Sequence, residues 1–346
     1  MNILKWILFP FAILYDGVTR LRNYLFDIGY KKSFEFEANV IGVGNLTVGG
    51  TGKSPMVEYL VRLLGESYTI ATLSRGYGRK TKGFRIANSN DNAKTLGDEP
   101  FQFFNKFKNI HVTVGEERAV AIPYILAELS PDVILMDDSY QHRYVKPSLN
   151  IMLTDYNRLF YNDHVLPLGR LREARKGAKR ADIIVVTKCP QELSANERNS
   201  IREKIGNYSD SKVFFSAIKY LDPVPLNEDY NKLSENVLLF SGLAYSKPFT
   251  EYISSKYNLV DDIYFNDHHE YSSKDMNLVE ERFRQIPFED KSIVTTEKDI
   301  VKLLNGEIKS VADHLPIFYT PIEHCFIEDG EVFDKMVKES IMKTEN

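Results

Sequence analysis

The sequence predicts an α/β protein in which helices cover both faces of a largely parallel sheet. Short apolar runs, typical of buried strands, alternate with stretches whose apolar residues recur at helical spacing. These runs occupy residues 38–45, 69–78, 109–115, 132–138, 149–155 and 181–188. The alternation stops in a polar segment rich in Pro and Asn and restarts beyond it. The interruption predicts a second, smaller α/β domain after the first.

The predicted organisation has four parts. They are an N-terminal interfacial helix in residues 1–30, a first α/β domain in 31–220, a linker in 221–236 and the smaller α/β domain in 237–346. A chain of 346 residues has room for two cores of ordinary size.

Composition limits the classes of function open to the chain. Hydrophobic residues make up 43% and charged residues 27%, as in folded globular proteins. The net charge of −4 provides no global positive field, so we expect no nucleic-acid partner. Cys189 and Cys325 are too few and too far apart for a disulfide framework or a zinc site. Nothing in the sequence indicates an obligate protein partner.

The N-terminus combines an apolar run with flanking basic residues. Residues 6–15 read WILFPFAILY, with Lys5 before them and Arg20 and Arg22 after. A helix that crosses a bilayer needs about 20 apolar residues, and a cleaved signal needs a small-residue site that is missing here. The segment therefore predicts a helix that lies on a membrane surface, peripheral or monotopic. A helix packed in the core and a signal segment are the alternatives.

A glycine-rich loop joins the first predicted strand to the following helix. It comprises Gly49, Gly50, Thr51, Gly52, Lys53 and Ser54. Small residues let backbone N–H groups surround phosphate oxygens, while Lys53 reaches the β- and γ-phosphates and Ser54 binds Mg²⁺. The loop therefore predicts a P-loop NTPase-type fold that binds ATP with Mg²⁺. Thr47 occupies the position where the general motif has its first glycine.

Two carboxylates end the fourth predicted strand. A P-loop protein holds its magnesium with an acidic residue at the end of a neighbouring strand, and Asp137 and Asp138 fill this place. Either could contact the ion, directly or through water. His142, four residues beyond Asp138, is a further candidate near the site. Residues 187–190 read TKCP and lack the Asp that pairs with guanine, which favours ATP over GTP.

Several motifs occur in one order along the chain. They are GVGNLTVGGTGKSP, LSRGYGR, GDEP, DDSYQHR, LPLGRLRE, VVTKCP, FNDHHEY and TTEKD, and they span roughly residues 40–299. As an ordered set they resemble the tetraacyldisaccharide 4'-kinases, which share the departure at Thr47. The resemblance implies ATP-dependent phosphorylation of the 4'-hydroxyl of an acylated glucosamine disaccharide 1-phosphate, a lipid A precursor. It also implies the cytoplasmic face of the inner membrane of a Gram-negative bacterium.

The resemblance also assigns roles to residues. It implies that Asp98 of GDEP is the general base and that His268, with His269 as the alternative, pairs with it across the two domains. A helix N-cap is the other interpretation of Asp98. It further implies a catalytic role for Arg172. Candidates for substrate contacts or for support of the site are Glu99, Arg118, His142, Glu173, Arg75 and Arg79. If Asp98 and the histidine must meet, the domains must close on the substrate.

Two other functions have the same loop. A P-loop kinase or ligase of a soluble metabolite would have no use for the N-terminal apolar helix. A GTPase-type switch would need the missing guanine-binding Asp and would not need a base.

Overall fold

The computed structural model describes residues 3–267, 269–304 and 306–341. Within these ranges the helices are α1 (Ile3–Asp27), α2 (Lys53–Leu64), α3 (Ala93–Leu96), α4 (Asp98–Lys106), α5 (Arg118–Leu129), α6 (Ala195–Gly206), α7 (Lys247–Lys256), α8 (Ser273–Gln285), α9 (Glu297–Leu303), α10 (Gly306–Ala312) and α11 (Gly330–Glu339). The strands are β1 (Asn39–Asn45), β2 (Ile70–Ser74), β3 (Arg85–Ile86), β4 (His111–Val114), β5 (Val133–Met136), β6 (Leu149–Asp155), β7 (Ile183–Thr187), β8 (Lys212–Tyr220), β9 (Val224–Pro225), β10 (Asn236–Ser241), β11 (Asn258–Tyr264), β12 (Lys291–Thr296), β13 (Ile317–Thr320) and β14 (Ile322–Phe326). Two 3₁₀ helices span Phe160–Asn162 and Arg175–Arg180.

The larger sheet confirms the predicted α/β fold with a parallel sheet covered by helices. Its strand order is β14-β8-β7-β6-β1-β5-β2-β4-β3. Neighbouring strands are parallel throughout, except that β3 and β14 pair antiparallel at the two edges. Strand β1 lies in the interior, so the loop that follows it opens at the carboxyl edge of the sheet. Ligands of open α/β sheets bind at this edge.

Apolar residues of β1 alternate between the two faces of the sheet. Ile41 and Val43 pack in a core with α2, whereas Val40 packs in a second core with α5. All seven residues of β1 are buried. Burial on both faces is the reason why strands of a parallel sheet read as continuous apolar runs.

The smaller sheet has the order β11-β10-β12-β13-β9. It is parallel except for the short β9, which lies in the predicted linker 221–236 and pairs antiparallel with β13. The predicted smaller domain 237–346 differs from the structure at its end, because β14 pairs with β8 of the larger sheet. Helix α11 follows, and its Phe333 and Val337 are buried in the core beside α2. An amphipathic helix and an edge strand cannot be assigned to one of two sheets from local sequence pattern alone.

Two adjacent chain segments connect the sheets. Strand β8 leads towards β9, and β13 returns through Pro321 to β14. The segments run side by side, and Leu221 N donates to Pro321 O at 2.9 Å. The sheets also meet where α4 packs against α9: Lys106 Nζ lies 2.6 Å from Glu58 of α2 and 2.7 Å from Glu297 of α9.

Helix α1 exposes an apolar surface. The side chains on this surface are at least half exposed: Trp6, Ile7, Phe9, Phe11, Ile13, Leu14, Val18, Leu21 and Tyr24. Its Ala12 and Phe26 are buried, and Arg143 lies over the Phe26 ring at 5.0 Å. Among the residues described, no helix combines the length and apolar character needed to cross a membrane.

Candidate active site

The glycine-rich loop is held by hydrogen bonds to its carbonyl groups. Side chains at the end of β7 and on β14 donate to three successive carbonyls, those of residues 50–52. The pairs are Lys188 Nζ with Gly50 O, Thr187 Oγ1 with Thr51 O at 2.8 Å, and His324 Nε2 with Gly52 O at 2.9 Å. In a trans peptide the N–H of the next residue points opposite to the carbonyl. The N–H groups of residues 51–53 therefore point away from these donors, as phosphate binding requires.

The backbone of the loop explains its glycines. Gly49 and Gly52 have φ values of 107° and 84°, in the left-handed region that disfavours side chains. Thr47 has no such conformation, is buried, and its Oγ1 accepts a hydrogen bond from Asn45 Nδ2 at 3.3 Å. The general motif's first glycine is therefore not needed at position 47.

Lys53, Asp138 and Arg172 come together beside the loop. Lys53 Nζ lies 3.5 Å from Asp138 Oδ1, and Arg172 Nη1 donates to both Asp138 oxygens at 3.0–3.1 Å. Burial alone would raise the pKa of Asp138, but the Lys53 and Arg172 charges outweigh it and hold that pKa below its usual range. The predicted catalytic lysine and arginine thus share one ionised carboxylate.

Asp137 differs from its neighbour because it is buried. Burial, reinforced by the nearby Glu99 and Asp138, raises the pKa of Asp137 above its usual range. Its Oδ1 atom is buried and has no hydrogen-bond partner among the described residues. On the other side, Ser54 Oγ donates to Glu99 Oε1 at 2.9 Å.

These oxygen donors suit Mg²⁺, which prefers hard oxygen ligands. Residues of the described ranges form no complete cluster of three or more His, Cys, Asp and Glu ligands. Ser54, Asp137 and Asp138 are the residues that would hold such an ion here.

Arg118 occupies a buried position at the start of α5. Its guanidinium donates to the carbonyls of Gly115 at 2.7 Å and Asp137 at 3.2 Å. Burial lowers its pKa to about 10, which still leaves it charged near neutral pH. The side chain is only 2% exposed, so it holds the ends of β4 and β5 together.

The remaining candidates of the first domain lie in different surroundings. Arg75 is exposed at the end of β2. Arg79 has a buried side chain that contacts Glu116 at 2.6 Å and also bonds Gly83 O, so it anchors its own loop. Burial, with the Arg118 and Arg75 charges, lowers the pKa of His142 to about 4. His142 is therefore neutral at physiological pH.

Glu173 joins α1 to the site. It is 2% exposed and accepts hydrogen bonds from Asn23 at 2.6 Å, Arg180 at 2.8 Å and Gln141 at 3.1 Å. Its neighbour Arg172 offers its carbonyl to Tyr15 OH of α1 at 2.9 Å. The Arg-Glu pair thus contacts Asp138 on one side and the N-terminal helix on the other.

Asp98 is the first residue of α4, with Gly97 at the N-cap, so the N-cap interpretation of Asp98 is wrong. Lys302 Nζ from α9 lies 3.9 Å from Asp98 Oδ2 and donates to His269 O at 3.0 Å. His268 lies outside the described residues. The His269 ring stacks on Phe265 at 4.7 Å, and its Nε2 lies 3.2 Å from Asp275.

Comparison with known proteins identifies the family. The profile of the tetraacyldisaccharide-1-P 4'-kinases matches residues 4–342, nearly the whole chain. The chain belongs to this family. A tetraacyldisaccharide 4'-kinase of Flavobacterium psychrophilum is 46% identical over 345 residues, covering 97% of both chains. One from Bacteroides thetaiotaomicron is 40% identical over 339 residues, covering 93% of this chain and 89% of the relative.

A solved structure of the same family has a similar fold. It is the "apo" form of LpxK from Aquifex aeolicus in complex with ATP, with a TM-score of 0.77 and 29% identity. The match covers 98% of this chain and 100% of the other. Membership in the 4'-kinase family makes the chain a kinase and disfavours the GTPase switch and the soluble-metabolite enzyme.

Several residues that contact the candidate site of this 4'-kinase family member were not predicted from the sequence. Gln141, Thr187, Lys188, Lys302 and His324 all contact predicted site residues. For Gln141, the sequence feature that could have indicated a site contact is its position in the motif DDSYQHR. His324 had no local signal, because the pairing of β14 with β8 brings it to the loop from 272 residues away.

We expect Glu173→Ala to reduce the free energy of unfolding by about 2–4 kcal/mol, because it leaves buried hydrogen-bond donors and the Arg180 charge without their acceptor. Urea unfolding followed by circular dichroism measures this change. Glu192→Ala, at an exposed position, is the control and should stay within about 0.5 kcal/mol of wild type. Equal stability of the two variants would contradict the structural role of Glu173.

Proposed function

We propose that this chain transfers the γ-phosphoryl group of ATP to the 4'-hydroxyl of a tetraacylated glucosamine disaccharide 1-phosphate. Family membership supports this acceptor. The structural observation that carries the proposal is the arrangement of the glycine-rich loop. Its carbonyls accept hydrogen bonds from Thr187 and His324 of the sheet, and Lys53 faces Asp138. The alternative acceptor is a soluble metabolite.

The loop residues 49–54 bind the phosphates in this proposal. Backbone N–H groups at the start of α2 and the Lys53 ammonium neutralise phosphate charge. Ser54, Asp137 and Asp138 would hold Mg²⁺, which would supply charge stabilisation on the phosphate oxygens. Arg172, anchored on Asp138, adds a second cation beside Lys53, where charge spreads over the transferred group.

Asp98 is the proposed general base. Its neighbour Glu99 accepts a hydrogen bond from Ser54, so Asp98 lies close to the phosphate end of the loop. The 4'-oxygen forms a bond to the γ-phosphorus, the bond from that phosphorus to the bridging oxygen of ADP breaks, and the hydroxyl proton passes to the Asp98 carboxylate. The proposed partner of Asp98 is His268. His269 is the weaker alternative because its ring already faces Phe265 and Asp275.

The substrate must reach this site from a membrane. The exposed apolar side chains of α1 supply the proposed contact with lipid at the cytoplasmic face of the inner membrane. Tyr15 and Asn23 of α1 donate hydrogen bonds to the Arg172-Glu173 pair, so the proposed membrane contact is joined directly to the site. Closure of the smaller sheet on the larger one would exclude water from the site.

The first test of the function is label transfer from γ-labelled ATP to purified tetraacyldisaccharide 1-phosphate in detergent with Mg²⁺. Wild type should form labelled lipid, and Lys53→Ala should lower kcat by about 10²–10³-fold because charge stabilisation of the transferred group is lost. Lys204→Ala, an exposed lysine of α6, is the matched control. Nucleotide binding by wild type without a lipid product would redirect the search to a soluble acceptor.

The base assignment predicts a large effect of an isosteric change. Asp98→Asn should lower kcat by about 10²–10⁴-fold and leave the KM for ATP nearly unchanged, because a base acts in the transition state. Steady-state kinetics with both substrates measures the two constants. Asp210→Asn, at an exposed site, should behave as wild type. A kcat close to wild type in Asp98→Asn would remove Asp98 from this role.

Membrane attachment predicts a change in partition. The double variant Leu14→Ser/Leu21→Ser should bind phospholipid vesicles at least about tenfold more weakly, since each leucine gives up apolar burial in the bilayer. Vesicle co-flotation measures the partition. Leu278→Ser, an exposed leucine of α8, is the control. Partition equal to the control would argue that α1 does not mediate the attachment.

A further inference from the structure

His324 links the last strand of the larger sheet to the glycine-rich loop. It lies on β14, opposite Ile218 of β8, and is 3% exposed. Its two ring nitrogens make two contacts of 2.9 Å each, Nδ1 with Ser216 Oγ and Nε2 with Gly52 O. A histidine that is both buried and bonded at each nitrogen has one allowed ring orientation.

The two partners define the protonation of this ring. The Gly52 carbonyl can only accept a hydrogen bond, so Nε2 carries the hydrogen. Nδ1 is then free to accept from the Ser216 hydroxyl. Burial, with smaller contributions from the Arg62 and Lys188 charges, lowers the pKa of His324 to about 4, so the ring stays neutral near pH 7.

Gly52 lies where the glycine-rich loop passes into helix α2. It precedes Lys53, and its carbonyl also accepts the hydrogen bond from Met56 N that closes the first turn of α2. A Cβ atom on Gly52 would lie 3.2 Å from the His324 ring, and its φ of 84° disfavours a side chain in any case. The loop and the histidine therefore pack in direct contact.

A second contact joins β14 to α2, the helix that follows the glycine-rich loop. Tyr59 of α2 packs edge-on against Phe326 of β14 at 5.3 Å, and its hydroxyl donates to Asp334 of α11 at 2.7 Å. Strand β14 is thus attached to α2 both at its first turn and further along its length. The same strand begins two residues after β13 of the smaller sheet.

We propose that His324 is a positioning residue for nucleotide binding, which holds the glycine-rich loop through the Gly52 carbonyl and connects it to the segment between the two sheets. This inference rests on the proposed binding of ATP by residues 49–54. Without the Nε2–H donor, the Gly52 carbonyl keeps only the hydrogen bond from Met56 N, and the peptide group that presents the Lys53 N–H loses one of its constraints. The cost falls on the binding of phosphates rather than on the chemistry of the acceptor.

The test compares His324→Ala, His324→Gln and Ser216→Ala with wild type. We expect His324→Ala to raise the KM for ATP, and the dissociation constant of a fluorescent ATP analogue, about tenfold, a size typical of losing one partner of a buried hydrogen bond. The KM for the lipid should change less than twofold. His324→Gln, whose amide can donate to Gly52 O, should recover most of the affinity, and Ser216→Ala should fall between the two.

His111→Ala, an exposed histidine at the start of β4, is the matched control and should bind ATP as wild type does. If His324→Ala lowers the melting temperature but binds ATP with wild-type affinity, or if His324→Gln is no better than His324→Ala, the positioning role is wrong. If His324→Ala does not fold, His324→Gln and Ser216→Ala decide by the same constants. Failure of wild type itself to bind ATP would instead count against the proposed function.

Discussion

The fixed direction of three peptide groups underlies the candidate active site. The carbonyls of residues 50–52 are bonded to side chains from the ends of β7 and from β14, so the N–H groups that follow them point away from the sheet. Without these hydrogen bonds, the glycine-rich loop would lose conformational entropy each time it bound a phosphate. Hydrogen bonds from β14 and the end of β7 thus order a loop that its glycines would otherwise leave flexible.

The second constraint is the shared use of the Arg172-Glu173 pair. Arg172 holds the Asp138 carboxylate, while Glu173 accepts hydrogen bonds from α1 and from Arg180. The two residues lie in a bend of the chain just before the second 3₁₀ helix, and their side chains contact different partners. Two consecutive residues therefore contact Asp138 and the N-terminal helix, which links the exposed apolar surface of α1 to the candidate active site.

Contacts between the two sheets reach the proposed base as well. Lys106 lies between Glu58 of α2 and Glu297 of α9, and both glutamates are buried. Removing one partner from such a cluster would leave a buried charge without its counterion, so these ion pairs stabilise the contact of α4 with α2 and α9. Helix α4, which begins with Asp98 and ends with Lys106, is therefore positioned by both parts of the molecule.

The sequence by itself determined the α/β class, the loop at residues 49–54, the carboxylates that end β5 and the family, because these depend on local periodicity and on motifs of adjacent residues. Only the tertiary structure decided that β14 joins the larger sheet, that Arg118 bonds main-chain carbonyls, that Glu173 anchors α1 and that His324 supports Gly52. These contacts join residues as far as 272 positions apart. Local sequence carries no record of such pairing, because strand order and side-chain packing depend on the free energy of the whole fold.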